Sequence, residues 1–187
     1  MEAFLVSAGI VALAEIGDKT QLLALVLAAK FRKPVPIILG ILVATLLNHA
    51  LAGAAGAWIS AVIGPTAMRW ILGISFIAMG AWTLIPDKIG DDKETAPRFG
   101  VFGTTLLAFF LLEMGDKTQI ATVALAAKYT SLIAVVAGTT FGMMLANVPA
   151  VLLGDVAAKK LPMRLVHGIA AAIFFALGVS VLLGFGS

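Results

Sequence analysis

The chain has 187 residues, of which 61% are hydrophobic and 12% are charged. A soluble globular domain has roughly 45–50% apolar and about 25% charged residues, so this composition excludes an ordinary soluble domain and indicates an integral membrane protein. The formal net charge is +3, but the basic residues lie in short segments between apolar runs, so nucleic acid is not an expected partner. The absence of cysteine excludes disulfides, thiolate metal sites and cysteine nucleophiles.

Six apolar runs are long enough to be membrane-spanning helices, which need roughly 20 residues each. The predicted spans are, in chain order, 4–29, 35–60, 66–86, 101–127, 131–154 and 165–185. The first run has no basic segment before it and continues past a charged motif, so we interpret it as a span and not as a cleaved signal. The sequence therefore predicts an all-α, multi-pass membrane protein in a lipid bilayer.

The second half of the chain repeats the first half at an offset of 98 residues without gaps. The clearest match is the hexapeptide EIGDKT at 15–20, which returns as EMGDKT at 113–118. Because each unit contains three spans, the second unit must enter the membrane from the opposite side, as in the inverted repeats of many secondary transporters. We therefore predict two inverted three-helix repeats, at 1–86 and 99–187, joined by a polar cytoplasmic linker at 87–98.

The distribution of lysine and arginine predicts the orientation, because cytoplasmic loops hold an excess of these residues. The segments after the first, third and fifth predicted spans hold nine basic residues, whereas the opposite side holds only Arg69 and Lys128. Both termini are therefore predicted to lie outside the cytoplasm.

Each hexapeptide places two carboxylates and a lysine within an apolar stretch, where charges are costly and usually carry function. Glu15 and Asp18 are three residues apart, so on a helix they would share a face, and Glu113 and Asp116 repeat that spacing. If the two faces meet, four carboxylates converge near the bilayer centre. Hard divalent cations such as Mn²⁺, Ca²⁺ and Mg²⁺ prefer oxygen ligands of this kind.

Neighbouring polar side chains are candidates to complete or orient this metal site. They are Thr20, Gln21, Thr118 and Gln119. Two ionised motifs would together carry a charge of −2, which one divalent cation or two protons would neutralise. We therefore expect metal and protons to compete for the same oxygens, and this competition would be the exchange mechanism. The alternative is a structural charge network that pins two helices, although packing alone needs no second copy.

The glycines and lysines of the motifs have separate expected roles. Gly17 and Gly115 weaken the helix locally, as the broken helices of transporters require. Lys19 follows Glu15 by four residues, the spacing of an intrahelical ion pair. We expect Lys19 and Lys117 to have a structural or pKa-tuning role, with an outer-shell or proton-relay role as the alternative, because a protonated lysine cannot bind a metal ion.

Three polar residues in the second and fifth predicted spans are further candidates. The second span carries Asn48 and His49, and the 98-residue offset aligns His49 with Asn147 in the fifth span. These side chains could be outer ligands or a proton relay. The alternative is that they form interhelical hydrogen bonds, which polar groups in bilayers often make.

Two E-x-G-D-K-T motifs in two three-span units closely resemble the UPF0016 family, also called the GDT1 family. The resemblance implies a secondary active transporter that exchanges Mn²⁺, with Ca²⁺ as a second candidate ion, for protons. It implies as site residues Glu15, Asp18, Thr20, Glu113, Asp116 and Thr118, with Gln21 and Gln119 adjacent. Separately, the sequence predicts no enzymatic activity, because it has only two histidines and no cysteine to supply a nucleophile with a base or a His-rich metal site, and no bound cofactor is expected.

The short chain lacks the extended N-terminus and long central loop of many eukaryotic members of the family. The resemblance therefore favours a bacterial manganese exporter of the plasma (inner) membrane. A passive divalent-cation channel is the alternative function. Channels usually build their pores from symmetric oligomers, and the sequence is compatible with an oligomer but does not indicate one.

Overall fold

The computed structural model describes residues 1–85, 99–153 and 163–184, and every regular element within these ranges is an α-helix. The helices are α1 Glu2–Glu15, α2 Lys19–Phe31, α3 Pro34–Val62, α4 Pro65–Thr83, α5 Gly100–Glu113, α6 Lys117–Lys128, α7 Leu132–Leu153 and α8 Met163–Leu182. The all-α prediction is confirmed. The predicted cytoplasmic linker at 87–98 lies outside the described residues.

Four of the predicted spans each correspond to one helix. The second, third, fifth and sixth spans match α3, α4, α7 and α8, with boundaries that differ by no more than three residues. Proline at the first turn starts both α3 and α4, where its fixed φ and missing N–H suit a helix N-terminus. Among the described helices, α3 and α7 are long and apolar enough to cross a membrane, with 29 and 22 residues.

The first and fourth predicted spans differ from the other four, because each contains two helices. The first contains α1 and α2, and the fourth contains α5 and α6, with the break in each at the repeated hexapeptide. The prediction that Glu15 and Asp18 share the face of one helix is therefore wrong. Glu15 ends α1, whereas Asp18 is the N-cap of α2. The prediction that the motif glycines interrupt the helix is confirmed.

The helices of each half pack chiefly against helices of the other half. The most extensive contacts join α1 to α7 and α4 to α8, followed by those of α3 with α5, α6 and α7. The 98-residue offset makes α5, α6, α7 and α8 the counterparts of α1, α2, α3 and α4. Replacing each helix by its counterpart turns the α1–α7 pair into the α5–α3 pair, which is also in contact. It also exchanges α3–α6 with α7–α2, which are likewise in contact. The two halves are therefore intertwined and could not pack well separately.

Glycines allow two of these helix pairs to approach closely. A Cβ added to Gly138 of α7 would lie 2.5 Å from the Phe4 carbonyl oxygen and 3.0 Å from the Ser7 side chain on α1. A Cβ added to Gly40 of α3 would lie 2.8 Å from the Thr105 side chain on α5. Gly40 and Thr105 are the 98-residue counterparts of Gly138 and Ser7, so the same close contact occurs twice. Small residues have this role at many helix interfaces in membranes.

Large apolar side chains cover much of the outer surface. Leu51, Trp58, Ile133 and Leu152 are each more than half exposed. A soluble protein rarely exposes extended apolar patches, whereas the lipid-facing surface of a membrane protein is apolar throughout. The surface therefore agrees with the composition.

A polar contact ties the start of α1 to the end of α6. The Tyr129 hydroxyl donates to the Glu2 carboxylate across 3.3 Å, and the Lys128 ammonium lies over the Tyr129 ring. Burial raises the pKa of the Tyr129 hydroxyl, and the Glu2 carboxylate raises it further, so the hydroxyl keeps the proton that it donates.

The close approach of α1 and α7 predicts that Gly142 tolerates no side chain. An added Cβ would overlap the Ala8 carbonyl and lie 2.9 Å from the Ala12 nitrogen, both of them backbone atoms that cannot turn away. We expect Gly142→Ala to destabilise the protein by about 1–3 kcal/mol, the usual cost of overpacking. The measurement is the midpoint of thermal unfolding in detergent.

Gly9→Ala is the matched control, because Gly9 lies inside α1 and its added Cβ would meet nothing within 4 Å. Alanine favours a helix over glycine by up to about 1 kcal/mol, so this midpoint should stay constant or rise. Equal midpoints for the two variants would contradict the close packing of α1 and α7.

Candidate cation-binding site

The first hexapeptide forms a tight turn between α1 and α2. Ile16 has φ −62° and ψ 117°, Gly17 has φ 83°, and the Asp18 amide donates to the Glu15 carbonyl across 3.0 Å. These are the features of a type II β-turn, whose third residue needs a positive φ and is therefore usually glycine. The turn places one acid at the end of a helix and the other at the start of the next.

The second hexapeptide repeats this turn between α5 and α6. Met114 has φ −62° and ψ 117°, Gly115 has φ 78°, and the Asp116 amide donates to the Glu113 carbonyl across 3.0 Å. The glycine in each motif is therefore required by the backbone conformation. It is this conformation that makes the motif a helix–turn–helix junction.

The two glutamines hold the turns in place. Gln21 Oε1 accepts a hydrogen bond from the Gly17 amide at 2.9 Å, and Gln119 Oε1 accepts one from the Gly115 amide at 2.7 Å. The nitrogen of each glutamine reaches the other half, at 2.9 Å from a backbone carbonyl of α7 and 3.4 Å from the Asn48 side chain of α3. The side-chain oxygens of both glutamines, which the sequence analysis assigns to the metal site, thus accept hydrogen bonds from the turns.

The two turns meet in the interior, and three of the four motif carboxylates come together there. One oxygen from each of Glu15, Asp18 and Asp116 lies within 4.8 Å of the other two, and each residue is at most 3% exposed. No hydrogen bond reaches either carboxylate oxygen of Glu15 or the buried Thr20 hydroxyl from the described residues. A cluster of buried oxygens from both halves suits a hard divalent cation.

The lysines pair with the aspartates of the opposite motif. Lys19 Nζ lies 2.8 Å from Asp116 Oδ1, and Lys117 Nζ lies 3.5 Å from Asp18 Oδ1. The predicted intrahelical pair of Glu15 and Lys19 is therefore wrong, because the turn puts these residues on different helices. The lysines instead form ion pairs that join the two halves.

Glu113 lies beside the three-carboxylate cluster and has its own polar partners. It is completely buried, and its Oε1 lies 3.1 Å from the Thr118 hydroxyl and 3.7 Å from His49 Nε2. The Thr118 oxygen also lies 3.4 Å from Asp116 Oδ2, so this hydroxyl connects Glu113 to the cluster. Glu113 is close enough to Glu15 for their charges to interact.

The polar residues of α3 and α7 face the two motifs. Asn48 donates to the Phe110 carbonyl of α5 across 3.0 Å, the interhelical hydrogen bond that the alternative interpretation predicts. Asn147 donates to the Met143 carbonyl of its own helix at 3.1 Å and faces Glu15 without a hydrogen bond of ordinary geometry. His49 and Asn147 therefore have equivalent places, one beside each motif glutamate.

The support that the two glutamines give to the turns had a usable signal in the sequence. In both motifs glutamine follows glycine by four residues, the distance at which its side chain reaches back to the glycine amide across the new helix turn. The glutamines are thus better described as supports of the turns. No pattern of neighbouring residues in the sequence predicts that each lysine pairs with the aspartate of the opposite motif.

Buried carboxylates that pair with lysines across two similar helical halves are typical of a membrane protein that handles cations. Residues 3–91 and 101–185 match the protein family described as "Divalent cation/proton antiporter GDT1". The chain is 47% identical over 181 residues to a Vibrio cholerae serotype O1 protein named "Putative manganese exporter", covering 96% of this chain and 90% of that protein. No solved structure matches the chain.

More distant relatives occur in rice. The chain is 27% identical over 206 residues to "GDT1-like protein 3" of Oryza sativa subsp. indica and of subsp. japonica, covering 96% of this chain and 73% of each relative. The chain therefore belongs to the GDT1 (UPF0016) family of divalent cation/proton antiporters. It is a transporter and not an enzyme.

The type II turn predicts that Gly115 cannot be replaced by alanine without strain. An added Cβ at Gly115 would meet nothing within 4 Å, so any loss of stability in the alanine variant comes from backbone strain and not from a steric clash. A positive φ costs a residue with a Cβ about 1–2 kcal/mol, and asparagine tolerates it better than alanine. We expect the midpoint of thermal unfolding to be highest for the unmodified protein, lower for Gly115→Asn and lowest for Gly115→Ala. An alanine variant as stable as the unmodified protein would contradict the turn.

Proposed function

We propose that this chain exports Mn²⁺ from the cytoplasm in exchange for protons, with Ca²⁺ as a second candidate cargo. The observation that carries this proposal is the buried cluster of Glu15, Asp18 and Asp116. Carboxylates suit Mn²⁺, Ca²⁺ and Mg²⁺. The printed name of the Vibrio cholerae relative supports manganese as the cargo and export as the direction.

Charge balance explains why protons would be the counter-ion. The four motif acids and two motif lysines carry −2 together when all are ionised. One divalent cation or two protons would neutralise this charge, whereas an empty ionised site would be costly to expose to a low dielectric. The neutral forms, with one divalent cation or two protons bound, can therefore switch between the two sides of the membrane, whereas the empty ionised form cannot. This difference couples the two fluxes.

The lysines would stabilise the site between transport steps. Lys19 and Lys117 each pair with an aspartate of the opposite motif. A divalent cation that takes an oxygen of Asp18 or Asp116 would weaken the ion pair that this oxygen makes. Arrival of the ion would thus loosen contacts between the halves, which is a physical means of linking binding to movement.

Six spans in two inverted three-span repeats remain the architecture that we propose, with the first span of each repeat broken into two helices, repeats at 1–86 and 99–187 and a cytoplasmic linker at 87–98. The two family matches begin 98 residues apart, the same offset as the hexapeptides. The repeated turn and the repeated glycine contact support two-fold related halves. Interrupted helices near the midplane are the usual ion sites of such transporters.

We place the protein in the plasma (inner) membrane of a bacterium, with both termini outside the cytoplasm. The bacterial source of the relative with 47% identity supports this location. The excess of basic residues in the segments assigned to the cytoplasm supports the orientation.

Transport by purified protein in liposomes tests the proposed exchange. With a proton gradient imposed, we expect Mn²⁺ to accumulate against its own gradient while protons move the opposite way, measured by manganese uptake and an internal pH dye. Glu15→Gln should abolish both fluxes because it removes a charge from the cluster. Glu2→Gln is the matched control, because Glu2 lies on the same helix but contacts Tyr129. Downhill Mn²⁺ flux without proton movement would instead indicate the channel.

Competition between metal and protons predicts that Mn²⁺ binding releases protons. Metal ligands must be deprotonated, so the apparent affinity should weaken as the pH falls. Calorimetric titration of detergent-solubilised protein in buffers of different ionisation enthalpy measures the protons released per ion. The titrations cover pH 5 to pH 8, the range in which proteins are usually most stable. If Mn²⁺ binding released no protons anywhere in this range, competition at shared oxygens would be contradicted.

A further inference from the structure

We propose that His49 gives the site its preference for Mn²⁺ over Ca²⁺ by supplying an imidazole nitrogen to the bound ion. This inference rests on the proposed function and names the residue that discriminates between its two candidate cargoes. The three clustered carboxylates alone suit both ions, because both accept oxygen ligands. A ligand of a different kind would discriminate between them.

The surroundings of His49 leave its ring nitrogens available to an ion. The side chain is completely buried in α3, and no hydrogen bond from the described residues reaches Nδ1 or Nε2. The other oxygen of the neighbouring Glu113 carboxylate, Oε2, is also without a hydrogen bond from the described part of the chain. Buried polar groups are normally hydrogen-bonded, so unengaged atoms on two facing, ligand-capable side chains point to a further partner.

The spacing of His49 and Glu113 fits two ligands of one ion. Nε2 of His49 lies 3.7 Å from Oε1 of Glu113. Two ligands bound to the same cation at about 2.0–2.6 Å lie roughly 3–4 Å apart. The Thr118 hydroxyl connects Glu113 to Asp116, so this pair lies next to the carboxylate cluster.

The two halves differ in chemistry at this position. The counterpart of His49 is Asn147, which faces Glu15 and can offer only an amide oxygen to a metal ion. Ca²⁺ and Mg²⁺ take oxygen ligands, whereas imidazole is a common ligand of transition metals. One nitrogen among carboxylate oxygens would therefore favour Mn²⁺. The competing interpretation is that His49 only forms an ion pair with Glu113 that holds α3 against α5.

Magnetic resonance of bound Mn²⁺ distinguishes the two interpretations without transport. The chain contains two histidines, His49 and His167, so protein labelled with ¹⁵N-histidine reports on two residues only. We expect electron–nuclear double resonance of Mn²⁺ in detergent to show a directly bonded ¹⁵N. The signal should disappear in His49→Asn and persist in the control His167→Gln. Absence of the signal from the unmodified protein, or its survival in His49→Asn, would overturn the proposal.

Selectivity provides the second measurement. His49→Asn copies the residue of the other half, and we expect it to lower the ratio of Mn²⁺ to Ca²⁺ affinity at least roughly tenfold, the lower end of the usual loss for a metal-site partner. Adding Asn147→His should restore part of the ratio by returning an imidazole to the equivalent place. Both affinities are measured by calorimetry, so a variant that fails to transport is still informative.

The outcomes separate this inference from the function on which it rests. An unchanged affinity ratio in His49→Asn, or equal affinities for the two ions in the unmodified protein, would overturn the role of His49 and leave cation/proton exchange intact. Failure of the unmodified protein to drive Mn²⁺ uphill in the liposome experiment would instead overturn the proposed function.

Discussion

The structure depends on the compensation of charge that is buried far from water. Glu15, Asp18, Glu113 and Asp116 are all within 3% of complete burial. Isolated ions in such surroundings are unstable by several kcal/mol each, so every one must be paired, protonated or bound to a cation. The chain meets this need crosswise for the two aspartates, because the lysine of each motif pairs with the aspartate of the other. Separation of the halves would therefore leave unpaired charges, and the requirement for neutrality holds the two halves together.

The hexapeptide is best understood as a backbone device that creates this cluster. A continuous helix would keep Glu15 and Asp18 one turn apart with all backbone groups bonded. The type II turn instead ends one helix and starts another, so that Asp18 and Asp116 become N-caps of α2 and α6. Helix N-termini favour nearby negative charge, so an acidic side chain suits these positions. Glycine makes the turn possible, and the glutamine side chain stabilises it by accepting a hydrogen bond from the glycine amide.

Much of this organisation could be predicted from the sequence, and the failures have a common physical cause. Composition determined the helical class, and the doubled motif indicated that acids from both halves would meet. The predicted shared helix face and intrahelical pair assumed an uninterrupted helix, which the positive φ of Gly17 removes. The partner of Lys19 and the position of Glu113 outside the three-carboxylate group depend on how α1, α3 and α5 pack, and no spacing along the chain encodes that.

In the proposed exchange, the repeat would allow one chain to open to either side of the membrane with similar stability. If each half takes the conformation of the other, the contacts of α1 with α7 and of α5 with α3 are exchanged and not lost, so the two states have similar energy. Identity of the halves would also make the two access routes chemically alike. Residues such as His49 and Asn147 differ in chemistry while they occupy equivalent backbone positions. A duplicated site can therefore acquire selectivity through one half alone, because the backbone symmetry needed for exchange of access does not require identical ligands.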